Sequence, residues 1–378
     1  MTSPQGASGT LIIGGGVIGL SIGWRLSQRG EPVTILERGE AGKEASSAAA
    51  GMLALANEVH YQEDLNLLLR MESMRLYPEF VRELEAFTGL SVDYRTEGAI
   101  AISLHADETA ELRNLYEYQR ERKLPVRWMS GAEVRELEPR LAGFVVAGVM
   151  CPMDHQVDNR RLVAALKAAF LKAGGTLHER TEVSRVRMEE DRPPEVEAAG
   201  GTWRAQRLVL AAGSWSGLIP GLEPWLRPLV RPVKGQILAL RMPSADFLTH
   251  MIKSPDVYLA PKSDGRLVVG ATVEEMGFSR DITAGAVYEL LKGAWRAIPS
   301  VYELPIDEIW CGFRPGSRDS APILGETDVP GFYVATGHYR NGIVNTPVTA
   351  KLMSELILDG RRPELLLRLS ARRFARAG

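Results

Sequence analysis

The alternation of apolar runs and glycines near the start of the chain predicts a strand, a tight turn, a helix and a second strand. The apolar run 11–13 is typical of a strand buried on both faces of a parallel sheet. Gly30 stands where a helix C-terminal cap is expected, and the apolar run 33–36 follows it. This order of elements predicts a βαβ unit.

The turn of this unit carries the spacing G-x-G-x-x-G. Gly14 permits a tight turn, Gly16 lets the backbone approach a pyrophosphate, and Gly19 lets the helix pack closely on the strand. Glu37 lies 18 residues beyond Gly19, where a carboxylate can accept hydrogen bonds from a ribose. Together these features predict a dinucleotide site. The fingerprint alone does not separate FAD from NAD.

Periodicity in the middle of the chain predicts further helices and strands. Helices are predicted over 63–88 and 108–121 and from Asp158 onward, with a strand over 99–104. Ser130 and Glu133 have the spacing of a capping box. Residues 230–313 are mostly β in pattern, with turn residues between apolar runs. This block predicts an antiparallel sheet.

Two later segments, 207–216 and 331–347, repeat the design of an apolar strand followed by a glycine turn. They predict further strips of the nucleotide domain, so that this domain is discontinuous. A nicotinamide dehydrogenase usually completes its nucleotide domain in one stretch, and the interruption therefore favours FAD. The predicted fold class is α/β, or α+β in two domains: a Rossmann-like FAD-binding domain, and an antiparallel β-sheet substrate domain with helices. The predicted boundaries are 1–90, 150–225 and 318–378 for the first, and 91–149 and 226–317 for the second.

Composition and charge narrow the class of partner. The 378 residues are 45% hydrophobic and 24% charged, with a net charge of -2, which gives no bulk attraction to nucleic acid or an anionic membrane. Two cysteines argue against a disulfide framework and supply no metal cluster. The first ten residues lack the pattern of a signal peptide, and no apolar run is long enough to cross a bilayer. We therefore expect a soluble cytoplasmic protein without a metal. The basic tract 361–378 predicts a solvated amphipathic final helix.

A segment rich in small residues, 45–51, precedes Met52. Small side chains permit close approach of the backbone, and this segment ends in an apolar stretch, unlike most flexible loops. We expect it to lie against a flat ligand.

These motifs resemble those of the FAD-dependent amino acid and amine oxidases, the D-amino acid oxidase superfamily. Within it the chain is most similar to the bacterial glycine oxidases that feed thiamine biosynthesis. The resemblance extends over nearly the whole chain and rests on the motifs IIGGGVIGLSIGWRLSQRG, ILERG, AAAGML, PVKGQIL, YLAPKSDGRLVVGAT, GFRPGSRDSAPILG and ATGHYRNGIVNTP.

The substrate residues follow partly from pattern and partly from this resemblance. In a strand over 307–314, alternation places Trp310, Gly312 and Arg314 on one face. By resemblance Arg314 binds the substrate carboxylate, which a planar guanidinium holds with two parallel bonds. Tyr258 is the second donor by resemblance, or else a buried tyrosine with a structural partner.

Two further positions have open roles. Arg340 either contacts the substrate carboxylate or anchors its loop at the start of the last helix, and Met52 either limits the pocket beside the flavin or fills the core. Asp256 stands where some relatives carry histidine, so the pocket rim is expected to differ.

The resemblance implies noncovalent FAD. The backbone N–H groups of 338–342 are expected to stabilise negative charge on the flavin. The residues expected to contact FAD are Gly14, Gly16, Val17, Ile18, Gly19, Glu37, Arg38, Ser46, Ser47, Ala49, Ala50, Gly51, Met52, Val183, Ala212, Gly213, Trp215, His338, Arg340, Asn341, Gly342 and Ile343. Related sarcosine oxidases attach flavin to a cysteine in a loosely comparable place to Cys311, but the spacing to Asp319 does not match.

The reaction implied by the resemblance is hydride transfer to flavin N5 from Cα of glycine or a related small amine or D-amino acid whose amino group is neutral. The imine then hydrolyses, and O2 reoxidises the flavin to give hydrogen peroxide. The resemblance also suggests a homotetramer. Three alternatives stay open: an oxidase of sarcosine, proline or larger D-amino acids, a dehydrogenase of the same fold that passes electrons to another acceptor, and the oxidase-like domain of a tRNA-modifying enzyme. The near-neutral charge disfavours the last.

Overall fold

The computed structural model describes residues 5–6, 9–59, 61, 64–188, 194–222 and 230–374. The helices of this part of the chain are α1 (Val17–Gln28), α2 (Ala45–Ala48), α3 (Asp64–Thr88), α4 (Ala106–Glu121), α5 (Gly131–Leu137), α6 (Asn159–Lys172), α7 (Ala284–Ala297), α8 (Thr346–Asp359) and α9 (Glu364–Arg368). Its strands are β1 (Gln5–Gly6), β2 (Thr10–Ile13), β3 (Val33–Leu36), β4 (Met52–Leu53), β5 (Ala99–Ser103), β6 (Arg127–Ser130), β7 (Ala147–Cys151), β8 (His155–Gln156), β9 (Thr176–His178), β10 (Val183–Arg187), β11 (Glu195–Ala198), β12 (Gly201–Arg204), β13 (Arg207–Leu210), β14 (Val230–Arg241), β15 (Met251–Lys253), β16 (Tyr258–Pro261), β17 (Arg266–Gly270), β18 (Ile306–Ser317), β19 (Ile323–Glu326) and β20 (Phe332–Thr336).

A six-stranded sheet in the order β19-β20-β13-β2-β3-β9 joins distant parts of the chain. Its strands pair in parallel except for β19 with β20. The central strand β2 pairs on one side with β3 and on the other with β13, so that Ile12 lies opposite Ile35 and Val209. All three side chains are fully buried, as expected for strands covered on both faces.

Helix α1 covers one face of this sheet and packs against α6 and α8. Its Trp24 is fully buried and meets the ring of Phe80 on α3 edge to face, with 5.5 Å between ring centroids. Gly23 permits the contact with α6, because a Cβ there would lie 3.0 Å from the ring of Phe170. The helix that follows the glycine turn is therefore fixed by apolar packing along its length.

An eight-stranded sheet in the order β18-β14-β17-β16-β15-β5-β7-β6 forms the second layer. Its strands are antiparallel except for the parallel pair β15 and β5. The long strands β14 and β18 pair from Val230 opposite Ser317 to Leu240 opposite Ile306. A four-stranded sheet, β1-β12-β11-β10, and a two-stranded one, β4-β8, complete the arrangement.

The structure confirms the α/β fold class, the first βαβ unit and the capping box at the start of α5, in which Ser130 and Glu133 bond reciprocally. The helix predicted over 63–88 is α3, although residue 63 lies outside the described residues. The division into two domains at the boundaries given above stays a prediction.

Two expectations near the C-terminus are wrong. The last long helix, α8, begins at Thr346, so Arg340 precedes it in a turn and does not lie at its start. Instead of one final amphipathic helix, the tract from residue 361 forms the short α9 and a 3₁₀ turn at Ala371–Phe374, while residues 375–378 lie outside the described part. Gly360, in the left-handed conformation, ends α8, and Pro363 directly precedes α9. These two residues separate α8 from α9, because neither continues a helix readily.

Among the described residues, no helix combines the length and apolarity that crossing a bilayer requires. Nor do the described ranges contain a group of three or more His, Cys, Asp or Glu side chains placed to hold a metal ion.

One buried carboxylate organises the loop after β4. Asp154 is fully buried and accepts hydrogen bonds from the N–H groups of Leu55, Ala56 and Asn57 at 2.7, 2.8 and 2.9 Å. An ionised carboxylate is an acceptor only, which suits three converging donors. This contact fixes the backbone immediately before Glu58.

We expect Asp154→Asn to lower the free energy of unfolding by about 2–4 kcal/mol, because the amide NH2 would face N–H donors in a buried site. Urea denaturation measures the change. Asp107→Asn, at an exposed position in the first turn of α4, is the control and should cost less than about 1 kcal/mol. Equal losses in the two variants would contradict the anchoring role of Asp154.

Candidate active site

A cavity of about 900 Å³ lies between the two large sheets. Residues at the carboxyl ends of β2, β3, β13 and β20 line one end, among them Ile13, Leu36 and Thr336. Tyr258 on β16 and Arg314 on β18 line the other. The carboxyl ends of parallel strands are the usual position of a ligand in an open α/β sheet.

The glycine turn forms the wall of the first end. Gly14 has a φ of +108°, and a Cβ there would lie 2.5 Å from the carbonyl oxygen of Ala211, directly after β13. Gly16 lines the cavity, whereas Gly19 does not. A Cβ at Gly19 would overlap the carbonyl oxygen of Gly14, so this glycine lets α1 start directly against the turn. Gly14 and Gly19 therefore have separate steric reasons for lacking a side chain.

Glu37 is held at the cavity wall by the same turn. Its side chain accepts hydrogen bonds from the N–H groups of Gly15 at 2.8 Å and Gly39 at 2.9 Å. A carboxylate has about four acceptor positions, so acceptor capacity is left for ribose hydroxyls. The two backbone donors fix the orientation that such a contact needs.

The small-residue segment 45–51 runs along the cavity, and its contact with a flat ligand stays a prediction. Ser46 accepts a hydrogen bond from the N–H of Val17 at 3.0 Å and thereby caps α1 from a distant part of the sequence. The Ser47 hydroxyl instead donates to the carbonyl of Gly42 at 2.7 Å, and Ser47 does not line the cavity. The Asn159 amide holds the segment by donating to the carbonyls of Ser46 and Ser47 at 2.8 and 2.9 Å.

The structure brings most of the predicted cofactor residues to one cavity. Gly19 and Ser47 lie behind its wall. The residues on the wall are Gly14, Gly16, Val17, Ile18, Glu37, Arg38, Ser46, Ala49, Ala50, Gly51, Met52, Val183, Ala212, Gly213, Trp215, His338, Arg340, Asn341, Gly342 and Ile343, together with Tyr258 and Arg314.

An aromatic and ionic cluster beside the first end was missed by the sequence analysis. The Arg38 guanidinium lies 3.6 Å from the ring centroid of Trp215, and Phe278 stacks on Trp215 at 4.8 Å. Glu44 pairs with both Arg38 at 2.9 Å and Arg280 at 2.8 Å. Among these residues, only Arg38 and Trp215 could be located from the sequence, because they follow the apolar runs that predict β3 and β13. Phe278 and Arg280 come from the loop between β17 and α7, which has no motif.

Arg314 is fixed at the opposite end by backbone carbonyls. Its Nη1 donates to the carbonyl oxygens of Thr272 at 3.0 Å and Lys234 at 3.2 Å. A Cβ at Gly235, on the paired strand β14, would lie 2.5 Å from either terminal nitrogen of the guanidinium. The guanidinium therefore lies flat over a glycine, with one edge held by the backbone.

Tyr258 occupies an equivalent position over a second glycine. It pairs with Gly270 across β16 and β17, and a Cβ at Gly270 would overlap the phenol ring. The predicted face of β18 is also found: Trp310 donates to the carbonyl of Ala48 at 3.0 Å, and Gly312 lies against the Cβ of Ala48. Small residues on facing strands thus make the space in which Arg314 and Tyr258 meet the cavity.

Burial controls the protonation of these groups. It raises the pKa of Tyr258 to about 12, and the charge of Arg314 offsets part of this rise. Burial also lowers the pKa of Arg314 from its usual value, and it lowers the pKa of His338 to about 3. Near neutral pH the tyrosine is therefore a hydroxyl donor, and His338, within 3.1 Å of the Thr349 hydroxyl, is neutral.

Arg340 lies on the cavity wall in an ion-pair cluster that sequence reasoning did not find. Its Nη1 is 3.5 Å from Oε2 of Glu58, whose Oε1 is 3.1 Å from Nζ of Lys253. In the same turn, the N–H groups of Tyr339 and Asn341 donate to the carbonyls of Pro315 and His338, both at 2.8 Å. These two N–H groups are therefore already used within the protein.

The chain is similar in sequence and in structure to known flavoproteins. The family model described as DAO, FAD dependent oxidoreductase, matches residues 10–356. Glycine oxidase from Geobacillus kaustophilus is 37% identical over 348 residues, which is 92% of each chain. Its crystal structure superposes with a TM-score of 0.91 over 97% of this chain and 98% of that chain.

Two other relatives extend the comparison. The bifunctional protein ThiO/ThiG of Synechocystis is 37% identical over 98% of this chain, which spans only 54% of that longer protein. Iminodiacetate oxidase from Chelativorans sp. BNC1 is 27% identical in a structural match that covers 96% of this chain and 98% of that chain, with a TM-score of 0.86.

We expect Gly19→Ala to weaken FAD binding at least about tenfold, because the added Cβ forces the turn and the start of α1 apart. The ratio of flavin to protein absorbance after dialysis, and the Kd for added FAD, measure this loss. Gly143→Ala is the control, since no heavy atom lies within 4 Å of the added Cβ. Full flavin content in Gly19→Ala would show that the turn is not the cradle of the cofactor.

Proposed function

This chain belongs to the DAO family of FAD-dependent oxidoreductases, and from that premise we propose that it oxidises glycine and related small amino acids at Cα. Its class of reaction is flavin-dependent amine oxidation. Within that class, the observation that carries the substrate proposal is Arg314. It places a guanidinium at the end of the cavity, and in the described part of the chain its hydrogen bonds go to carbonyl oxygens, not to a carboxylate.

An anion is the ligand that this arrangement favours. Removing a guanidinium from water is costly unless a charge partner replaces the water, and two carbonyl dipoles replace it only in part. The substrate carboxylate completes the set by accepting from the remaining guanidinium edge and from the Tyr258 hydroxyl. A carboxylate held at one end of a small amino acid leaves Cα in a fixed place, which is the orientation that a reaction at Cα needs.

FAD, when bound along the glycine turn and the small-residue segment, supplies the acceptor for the hydride that leaves Cα. The protein binds the substrate, orients it and keeps Tyr258 protonated. His338 is neutral and lies within hydrogen-bond distance of the Thr349 hydroxyl, so it adds no charge to the site. The substrate amine must itself be neutral to release hydride, and no protein base is required for that step.

Several finer features belong to the same proposal. FAD is bound noncovalently, the imine hydrolyses to an oxo acid and ammonia, and O2 accepts the electrons to form hydrogen peroxide. A place in thiamine biosynthesis and a homotetramer are further predictions from the resemblance, and a cytoplasmic location is predicted from the low cysteine content. The second candidate is oxidation of a secondary amine such as sarcosine, D-proline or iminodiacetate, which is favoured by the match to an iminodiacetate oxidase. A dehydrogenase with another electron acceptor is the third.

Anaerobic reduction tests the proposed reaction. The purified flavoprotein is mixed without air with glycine, sarcosine, D-alanine, D-proline or iminodiacetate, and the flavin absorbance is followed. We expect glycine to bleach the flavin, and admission of air to restore it with one peroxide per turnover. Bleaching without reoxidation by air would identify a dehydrogenase, and absence of bleaching by any of these amines would refute the proposal.

We expect Arg314→Ala to weaken carboxylate binding by one to two powers of ten or more, since each charge-assisted hydrogen bond contributes ~1.5–3 kcal/mol. The Kd of acetate and kcat/KM for glycine measure the loss, and flavin content verifies that the variant is folded. Arg231→Ala, on the neighbouring strand with its exposed guanidinium beside Glu275, is the matched control and should keep the parent's values. Unchanged acetate affinity in Arg314→Ala would remove the carboxylate-clamp hypothesis.

We expect Tyr258→Phe to raise KM for glycine about tenfold by loss of one hydrogen bond to a carboxylate. Because burial raises the pKa of Tyr258 to about 12, the hydroxyl stays protonated below about pH 10. The pH profile of kcat/KM should therefore keep its shape in the variant, and its rise toward alkaline pH should follow the amine pKa of the substrate. Disappearance of an alkaline limb in Tyr258→Phe would mean that the tyrosine ionises in the working range.

A further inference from the structure

A carboxylate that joins two cations lies on the cavity wall outside the carboxylate clamp. Glu58 bonds through its two oxygens to different partners, Oε1 to Lys253 at 3.1 Å and Oε2 to Arg340 at 3.5 Å. The Lys253 ammonium also donates to the carbonyl of Asn57. All three charged residues line the cavity, and we call them the Glu58 cluster.

The Glu58 cluster is partly withdrawn from solvent. The Glu58 side chain is 16% exposed, and those of Lys253 and Arg340 are 33% and 34% exposed. The backbone under Glu58 is fixed by Asp154, which binds the three preceding N–H groups. Charges in such a setting interact more strongly than on an open surface, because less water screens them.

The cluster also acts electrostatically on the substrate end. Glu58 raises the pKa of both Tyr258 and Arg314, and Arg340 lowers both. These groups are therefore close enough for a substrate bound to Arg314 to sense the charge of the cluster. Lys253 lies at the end of β15 and pairs directly with Tyr258 on β16. This pairing brings the Lys253 ammonium to the substrate end of the cavity.

The charges of the Glu58 cluster affect how strongly a substrate with a second acidic group binds. Removing the charge of Glu58 would take one negative charge from the cavity wall beside Lys253 and Arg340, and a second acidic group of the substrate would then be repelled less. With Glu58 in place, a second carboxylate meets an anion that already accepts from both cations. A substrate with a single carboxylate does not encounter this repulsion.

We propose that Glu58 determines substrate specificity by selecting for amino acids with one carboxylate and against those that carry a second acidic group. The inference rests on the proposed function, in which Arg314 binds the first carboxylate. Glu58 acts here on the part of the substrate beyond Cα and not on the reacting atoms.

A second carboxylate on the cavity wall, in the loop between β15 and β16, provides a contrast. Asp256 also lines the cavity, three residues after Lys253. Its partner is Arg296 of α7, which also lies 3.3 Å from Glu108 and 3.0 Å from His105. Arg296 does not line the cavity, so removing the charge of Asp256 exposes no new cation pair to a ligand.

The test compares two ligand pairs that differ by one carboxylate, acetate with malonate and D-alanine with D-aspartate. Calorimetry on the holoenzyme gives the Kd of acetate and malonate, and steady-state oxidation gives kcat/KM for the two amino acids. In Glu58→Gln we expect malonate to bind at least about tenfold tighter, while acetate changes less than about threefold. The ratio of kcat/KM for D-aspartate to that for D-alanine should rise by a similar factor.

Two further variants verify the cause. Lys253→Met should move malonate affinity in the opposite direction, weakening it about threefold or more, because it removes a cation and keeps Glu58. Asp256→Asn, the matched loss of a cavity carboxylate, should change the malonate-to-acetate ratio by less than about twofold.

The outcomes separate this inference from the proposed function. If Glu58→Gln binds acetate and its ratio of malonate to acetate affinity is unaltered, the role of Glu58 is overturned but the proposed function is not. A large loss of acetate affinity or of D-alanine oxidation in that variant would overturn it too, since Glu58 would then hold the substrate that it is proposed to leave untouched. Failure of the parent protein to bind any carboxylate or oxidise any amine would overturn both.

Discussion

The cost of keeping the Arg314 guanidinium away from bulk water is the constraint on which the substrate end of the structure depends. The protein meets it with two backbone carbonyls, from Thr272 and Lys234, and with a flat place over Gly235. This arrangement fixes one edge of the guanidinium and leaves the other toward the cavity. A site that stabilises its cation only in part binds an anion strongly, because the anion provides the negative charge and the hydrogen-bond acceptors that the protein lacks there.

Two other groups of charged side chains along the cavity are stabilised by ion pairs, and in each of them one glutamate lies between two cations. Glu44 joins Arg38 and Arg280 at the nucleotide end, and Glu58 joins Lys253 and Arg340 near the substrate end. Arg314 differs from the cations of both clusters because, among the described residues, its hydrogen bonds go to carbonyls and none goes to a carboxylate. Among these clusters, the position that pairs least with protein carboxylates is therefore the one to which a ligand carboxylate is assigned.

Glycines do the steric work that makes these electrostatic contacts possible. At the nucleotide end Gly14 and Gly19 bring the start of α1 against the turn, and at the substrate end Gly235 and Gly270 lie under a guanidinium and a phenol. A Cβ at any of these positions would occupy space that another atom already fills. The two ends of the cavity thus use one device, a missing side chain, to bring a functional group close to the backbone.

Elements with a local cause could be predicted from the amino-acid sequence. The βαβ unit, its glycine turn, the capping box at Ser130 and the face of β18 that carries Arg314 all follow from periodicity and spacing over a few residues. The contacts between distant groups became visible only in the folded chain: Asn159 under the small-residue segment, Phe278 on Trp215, and Glu58 between Lys253 and Arg340. The wrong start for α8 has the same origin, since the turn at 338–342 is held by contacts to Pro315 on another strand. Local pattern is set by backbone geometry and burial, whereas charge pairing across a cavity depends on where separate strands end, which no short stretch of sequence encodes.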